Sequence, residues 1–198
     1  MLKIGITGGI GSGKTTICRI FETLGIPVFY ADTVAKQIMV TDEILIEGVK
    51  KAFGIESYSK DGLLNNKHIA GIVFHNAKEL ARLNELVHPA VFRAFDEWVK
   101  AIPQSVPYVL KEAALLFESG SYKMCDQNLL VIAPEEIKIQ RVMQRDGVTA
   151  ELVKARMDKQ MSDEEKIKKA DHIIYNNETD SLIIQVTRLH QLFLNISE

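Results

Sequence analysis

The run Gly8-Gly9-Ile10-Gly11-Ser12-Gly13-Lys14-Thr15 constrains this chain more than any other feature. It fits G-x-x-x-x-G-K-[ST], a pattern that requires a strand before it and a helix after it. Both flanks are present. Leu2-Lys3-Ile4-Gly5-Ile6-Thr7 is a short, mostly apolar run suited to a buried strand, and Ile17, Ile20, Phe21 and Leu24 recur on one face of a helix. The glycines let backbone N–H groups turn inward, and the helix N-terminus adds partial positive charge, so the turn forms a socket for polyphosphate. Lys14 is placed to reach β- and γ-phosphates, and the Thr15 hydroxyl to hold Mg²⁺. The chain is expected to bind a nucleoside triphosphate.

With 198 residues, 46% apolar and 25% charged, the chain suits one α/β domain carrying small insertions. A net charge of −2 gives no electrostatic footprint for nucleic acid or an anionic membrane. No apolar run is long enough to span a bilayer, and no signal peptide is expected. Cys18 and Cys125 form no metal spacing, and Cys18, beside the apolar stripe of the first helix, reads as a small buried thiol. A reducing cytoplasm is the expected location.

Five segments read as core strands: 2–7, 27–30, 107–111, 128–132 and 172–175. Helical patterns separate them, which predicts an α/β fold with a five-stranded parallel sheet flanked by helices. Gly25-Ile26-Pro27 ends the first helix and starts the second strand. Two connections are longer than a single crossover helix needs. In the first, Leu45, Val49, Ala52 and Phe53 share a helical face closed by Gly54, and Asp61-Gly62 marks a turn. Two more stripes follow, Leu80, Leu83 and Val87, then Val91, Phe95, Trp98, Val99 and Ile102. His88-Pro89 between them is expected to break the helix, with Pro89 in the first turn of the next. Residues 41–102 are thus expected to form a helical insertion for a second substrate, over the carboxyl ends of the strands.

In the second long connection, Pro134 suits a first helical turn and Ser162-Asp163-Glu164-Glu165 is a capping box. Residues 134–171 carry Arg141, Arg145, Arg156, Lys159 and Lys166 among almost as many acids. They read either as a solvated helical hairpin or as a mobile lid. The core of the single domain then comprises 1–40, 103–133 and 172–198.

Several side chains fit chemistry. Asp32, just past the second strand, is placed to accept a proton from an attacking hydroxyl or to orient it, and it equally fits an N-cap of the helix carrying Val34, Ala35 and Ile38. Glu112 ends the third strand, where an acid can hold Mg²⁺ through water, and Glu118 follows in the same mouth. Either also reads as a solvated loop acid. His88 is a substrate contact or a structural histidine; Asn176 and Asn177 are purine contacts or turn formers. No histidine set has metal-ligand spacing or completes a nucleophilic triad.

The loop alone does not separate a small-molecule kinase from a nucleotide switch. A GTPase switch would carry D-x-x-G after the third strand and N-K-x-D after a later one. Here the third strand ends in Lys111-Glu112-Ala113-Ala114 and the fourth in Ile132-Ala133-Pro134, while Asn66-Lys67 lies in the helical insertion. A kinase accounts for both excursions, one for the acceptor and one as a lid.

Further matches extend the pattern: Ile6-Thr7 leading into the loop, Ala31-Asp32 with Val34-Ala35, and Leu83-Asn84 leading to His88-Pro89. Leu115-Leu116-Phe117-Glu118, Gln144-Arg145-Asp146, Gln160, Lys166, Ala170-Asp171 and the Asn after the last strand complete it. With these, the chain resembles the dephospho-CoA kinase family almost end to end. The resemblance implies a P-loop kinase fold and ATP-dependent phosphorylation of the ribose 3′-hydroxyl of dephospho-CoA, giving CoA and ADP. It implies that Asp32 is the general base or hydroxyl-orienting group and that Lys14 and Arg141 act on the transferring phosphoryl group. It assigns Gly8, Gly11, Ser12, Gly13, Lys14, Thr15, Thr16, Arg145 and Asn177 to ATP, and Thr15 and Glu112 to Mg²⁺. Thr7, Asp32, His88, Leu115, Leu116, Phe117 and Glu118 fall to dephospho-CoA.

No nucleic acid, membrane or obligate protein partner is expected. One departure stands out: the family's usual Asp-x-Pro before Leu-Leu-Phe-Glu is Glu112-Ala113-Ala114 here. The extra methylene is expected to push the carboxylate deeper, and the loss of Pro to loosen the turn. A nucleoside monophosphate kinase or other small-molecule kinase is the nearest rival activity, and a GTP-dependent switch the rival from another class.

Overall fold

The run that feeds the glycine loop becomes the central strand of the sheet. β1 (Leu2–Thr7) has Ile4 and Ile6 fully buried and pairs in parallel with β3 (Tyr108–Glu112) on one side and β4 (Gln127–Ile132) on the other. β2 (Val28–Tyr30) lies outside β3, and β5 (His172–Tyr175) outside β4, giving the all-parallel order β2-β3-β1-β4-β5. The computed structural model describes residues 1–74 and 76–197. All five predicted strands form, each within one residue of its expected bounds. In space β3, not β2, is the neighbour of β1 on that side.

The chain divides into two compact units, Met1–Tyr30 with Ile102–Glu198, and Ala31–Ala101. In the first, α1 (Lys14–Thr23) and α9 (Leu182–Ser197) supply Ile17, Phe21, Val186 and Phe193 to a core that includes Ile4, Ile6, Leu110, Leu129 and Val131. Each such buried side chain contributes about 1.5–3 kcal/mol. Phe21 meets Tyr108 edge-on at 6.3 Å and stacks with Phe193 at 6.4 Å. The Tyr108 hydroxyl hydrogen-bonds His190 Nδ1 at 2.6 Å, so this fully buried phenol is not left dry. Residues 134–171 belong to this unit as α6 (Glu135–Asp146), α7 (Ala150–Met157) and α8 (Asp163–Ile167). Pro134 precedes α6 as its N-cap residue, not inside its first turn. The Ser162–Glu165 capping box forms in full, with hydrogen bonds of 3.2 and 3.1 Å.

The second unit holds α2 (Ala31–Ile38), α3 (Glu43–Phe53), α4 (Asn66–Val73) and α5 (Ala77–Ala101) around Met39, Leu45, Val49, Phe53, Tyr58, Ile69 and Ala90. It begins at Ala31, earlier than the expected 41. Asp42 caps α3 by accepting the Leu45 N–H and pairs with Arg93 of α5 at 2.9 Å. Those bonds to the charged form hold its carboxyl below the usual range despite some burial.

One expectation fails here. His88-Pro89 does not break the helix: α5 runs unbroken through Pro89. A proline inside a helix removes one N–H and crowds the carbonyl four residues back, here that of Glu85, at a cost of about 3 kcal/mol. Pro89 sits at an exposed position, while Ala90, Val91 and Phe95 of the same helix are buried. Burial of that stripe outweighs the local penalty. Pro89→Ala should therefore raise stability by about 2 kcal/mol, the helical gain less the extra freedom of the unfolded chain. The urea unfolding midpoint reads this directly, and a lowered midpoint would mean the ring makes contacts worth more than the missing N–H.

Candidate active site

Between β1 and α1, residues 8–13 form no regular element, and their shape depends on three glycines, the first being Gly8, where a Cβ would lie 2.3 Å from the Val131 carbonyl oxygen. Gly11 and Gly13 have φ of 79° and 95°, in the left-handed region. A Cβ on Gly11 would lie 2.5 Å from the Lys138 carbonyl oxygen, and one on Gly13 would lie 2.2 Å from Asn176 Nδ2. Both positions need glycine for conformation and for space. Ser12 N–H donates to the Gly9 carbonyl at 3.1 Å, while Lys14 Nζ donates to the Gly8 and Gly9 carbonyls at 2.9 and 3.3 Å. α1 has no acid in its first turn, so the positive end of its dipole stays available to an anion. Thr15 and Thr16 lie exposed in that turn.

The segment after β5 holds the far side of the loop. Asn176 is buried; its N–H donates to Ile132 O at 2.7 Å and its Nδ2 to Ser12 O at 2.8 Å. Its Oδ1 accepts from Arg141 Nη2 at 3.2 Å. Arg141 Nη1 is buried with no hydrogen-bond partner among the described residues and stands 3.8 Å from where a Gly13 Cβ would be. A buried, unpaired guanidinium N–H beside a phosphate loop is a donor shaped for a ligand oxygen. Arg145 behaves differently. It forms a two-bond pair with Asp146 at 2.7 and 3.2 Å, and Arg156 reaches the same carboxylate at 2.9 Å. Asn177 closes the turn to Asp180, donating to its carboxylate and accepting its N–H.

On the third side, Glu112 ends β3 in register with Ile6 of β1 and Tyr30 of β2, and is 7% exposed. Burial, and then the Glu112 charge, push the Cys18 thiol well up, while Lys14 acts on the same thiol in the opposite sense. Glu112 and Lys14 thus act in opposite senses on Cys18 of α1. A carboxylate and the Thr15 hydroxyl are the hard oxygen donors that Mg²⁺ takes, so these residues fit the ion. The turn that follows is held without proline: Ala113 N–H donates to Ile6 O at 3.1 Å, and the Thr7 hydroxyl to Ala114 O at 3.4 Å.

Of the next four residues, Leu116 and Phe117 are buried and Leu115 is exposed. A Cβ on Gly5 would come within 2.7 Å of Leu116 Cδ2, so β1 needs glycine there for this segment to close on the sheet. Glu118 accepts the Met161 N–H at 2.9 Å and faces the fully buried Lys166 at 3.4 Å. It thus joins the segment before α8.

In the helical unit, Asp32 lies exposed inside the first turn of α2, a favourable place for an acid, rather than at the N-cap before it. His88 stacks on Phe92 at 6.4 Å, and burial pushes its imidazole pKa down. A groove of about 810 Å³ within the unit is walled by Met39, Val40, Leu64, Ile69, Leu83 and Val87, with Lys36 and the amides Asn66 and Asn84 among them.

Sequence reasoning assigned no loop contact to Lys138 or Gln160, and took Asn176 only as a purine contact or turn former. Lys138 is 6% exposed and pairs with Asp163 at 2.7 Å beside Gly9; Gln160 Oε1 accepts the Ile10 N–H at 2.9 Å. A signal for Lys138 was available: it stands three residues before Arg141, on the same helical face.

The dephospho-CoA kinase family profile matches residues 2–181. A dephospho-CoA kinase from Salinibacter ruber is 43% identical over 180 residues, 90% of each chain. Among solved structures, TT1252 from Thermus thermophilus superposes with a TM-score of 0.82 at 35% identity, covering 98% of this chain and 97% of that one. A Campylobacter jejuni dephospho-CoA kinase does so with a TM-score of 0.72 at 28% identity, covering 99% and 98%. With the glycine loop, the parallel order and the Arg141 contacts in place, the chain belongs to the dephospho-CoA kinase family, on a P-loop kinase fold.

Proposed function

We propose that this chain transfers the γ-phosphoryl group of ATP to the ribose 3′-hydroxyl of dephospho-CoA, giving CoA and ADP. The observation that carries the donor half is the buried, unpartnered Nη1 of Arg141 beside Gly13. Together with Lys14 and the uncompensated N-terminus of α1, it makes a cationic cradle for a chain of phosphates. Phosphoryl transfer relies on alignment and charge neutralisation more than on covalent participation. Lys14 would exchange its bonds to the Gly8 and Gly9 carbonyls for oxygens of the β- and γ-phosphates, with Thr16 beside it. Thr15 and Glu112 would hold Mg²⁺, which when bound offsets phosphate charge.

Asp32 takes the role of general base or hydroxyl-orienting group. Its support is its exposed carboxylate two residues beyond Tyr30, which is in register with Glu112. The helical unit, with its amide-bearing apolar groove and His88, takes the acceptor. Leu115 stays an acceptor contact by its exposure, whereas Glu118, Arg145 and Asn177 serve the acceptor and ATP only by giving up the partners described above. Among the described residues no helix is long and apolar enough to cross a membrane, and a cytoplasmic location suits a CoA-synthesising enzyme.

ADP release with ATP should depend on dephospho-CoA and not on nucleoside monophosphates. Acceptor-independent GTP hydrolysis would point to a switch instead. Lys14→Ala should abolish turnover while leaving the circular dichroism spectrum unchanged, and a folded variant with normal kcat would remove the loop from the mechanism. Asp32→Asn should lower kcat about 100-fold or more with ATP affinity nearly unchanged, the scale of a lost general base. A kcat within a few-fold of wild type would leave Asp32 as a helix-terminal charge.

A further inference from the structure

We infer that Gln160 is a positioning residue for Lys14, acting through the single peptide group between Gly9 and Ile10. This rests on the reading above that Lys14 contacts the triphosphate. The N–H of that peptide donates to Gln160 Oε1 at 2.9 Å. Its carbonyl, on Gly9, accepts from Lys14 Nζ at 3.3 Å and from Ser12 N–H at 3.1 Å. One rigid plane therefore has the Gln160 amide at one edge and the ammonium of Lys14 at the other.

Planarity makes the coupling strict. Rotating the peptide to free its N–H swings the carbonyl by the same angle and takes away an acceptor from both Lys14 and Ser12. Gly9, having no Cβ, offers little steric resistance to such a rotation. The neighbours of Gly9 leave room as well, since a Cβ there would come no nearer than 3.5 Å to Lys138 Nζ. The plane is therefore held by hydrogen bonds at its two edges, Ser12 N–H and Lys14 Nζ on the carbonyl and Gln160 Oε1 on the N–H, and Gln160 supplies the hold that comes from outside the loop and α1.

Gln160 is itself held in place. Its N–H donates to Met157 O at 2.9 Å, the following N–H goes to Glu118 at 2.9 Å, and the α8 capping box starts at Ser162. The backbone from which its amide reaches the loop is thus already ordered. Lys138 and Asp163 close the outer side of Gly9. In this arrangement an acceptor oxygen from the turn between α7 and α8 helps set the place from which the Lys14 ammonium reaches phosphate.

A double-mutant cycle on affinity for a non-hydrolysable ATP analogue, without acceptor, separates this from a plain structural staple. Gln160→Met keeps the length of the side chain and removes the acceptor; Gln160→Ser is the second, smaller variant. In the wild-type background each should weaken analogue binding about fivefold to tenfold, the scale of one net hydrogen bond. In a Lys14→Ala background each should weaken it less than twofold, and exchange of the Ile10 amide proton should accelerate in both backgrounds. Equal losses in the two backgrounds, or no loss in the first, would overturn the proposal. Failure of the wild-type protein to bind the analogue would overturn the loop assignment itself, a result distinct from either.

Discussion

A phosphate loop has to keep its N–H groups off the rest of the backbone, so it cannot be stabilised by a helix or a ladder of its own. Beyond the Ser12 N–H bond to Gly9 O and the Lys14 bonds to Gly8 and Gly9, what fixes its shape comes from outside. In this chain the outside is a collar. The Lys138 carbonyl lies against Gly11, Asn176 lies against Gly13 and grips Ser12 O, and Gln160 takes the Ile10 N–H. The sheet order makes the collar possible. β4 and β5 stand beside β1 on one side, so the segments leaving their carboxyl ends, α6 and Asn176, come directly over the loop.

That arrangement changes the meaning of residues 134–171. A solvated hairpin would show its cations to water, and two here are buried. Lys138 and Lys166 are 6% and 0% exposed, each facing one acid, Asp163 and Glu118 respectively. Deleting one partner of such a pair leaves an uncompensated buried charge and costs about 3–5 kcal/mol, whereas the exposed Lys100–Glu97 pair contributes little. The hairpin is therefore built into the loop's support. Any displacement of α6 or of the segment around Gln160 also moves the groups that shape the loop, which ties helix motion to phosphate binding.

The sequence made the sheet legible because burial on both faces writes continuous apolar runs, as in Ile4, Ile6, Leu110 and Val131. The Ser162–Glu165 box was equally readable, since both of its bonds join residues three apart. What stayed hidden was contact across long sequence separations. Nothing local to Gln160 says that its amide meets Ile10, and nothing local to Asn176 says that it meets Ser12. Pro89 misled for the opposite reason. Its local penalty is plain in the sequence, while the burial of Ala90, Val91 and Phe95 that overrides it is tertiary.

The turn after β3 joins the two kinds of information. Where the family pattern has Asp-x-Pro, this chain has Glu112-Ala113-Ala114, and a freer turn was the natural expectation. A proline would restrict the turn by fixing φ. Here hydrogen bonds do comparable work, because Ala113 N–H extends the ladder to Ile6 and the Thr7 hydroxyl reaches Ala114 O. With the backbone pinned to β1, the longer Glu112 side chain starts from a fixed Cα, in register between Ile6 and Tyr30. The extra methylene then extends the reach of the carboxylate from a rigid base. A fixed starting point of this kind is what keeps a longer side chain aimed in one direction.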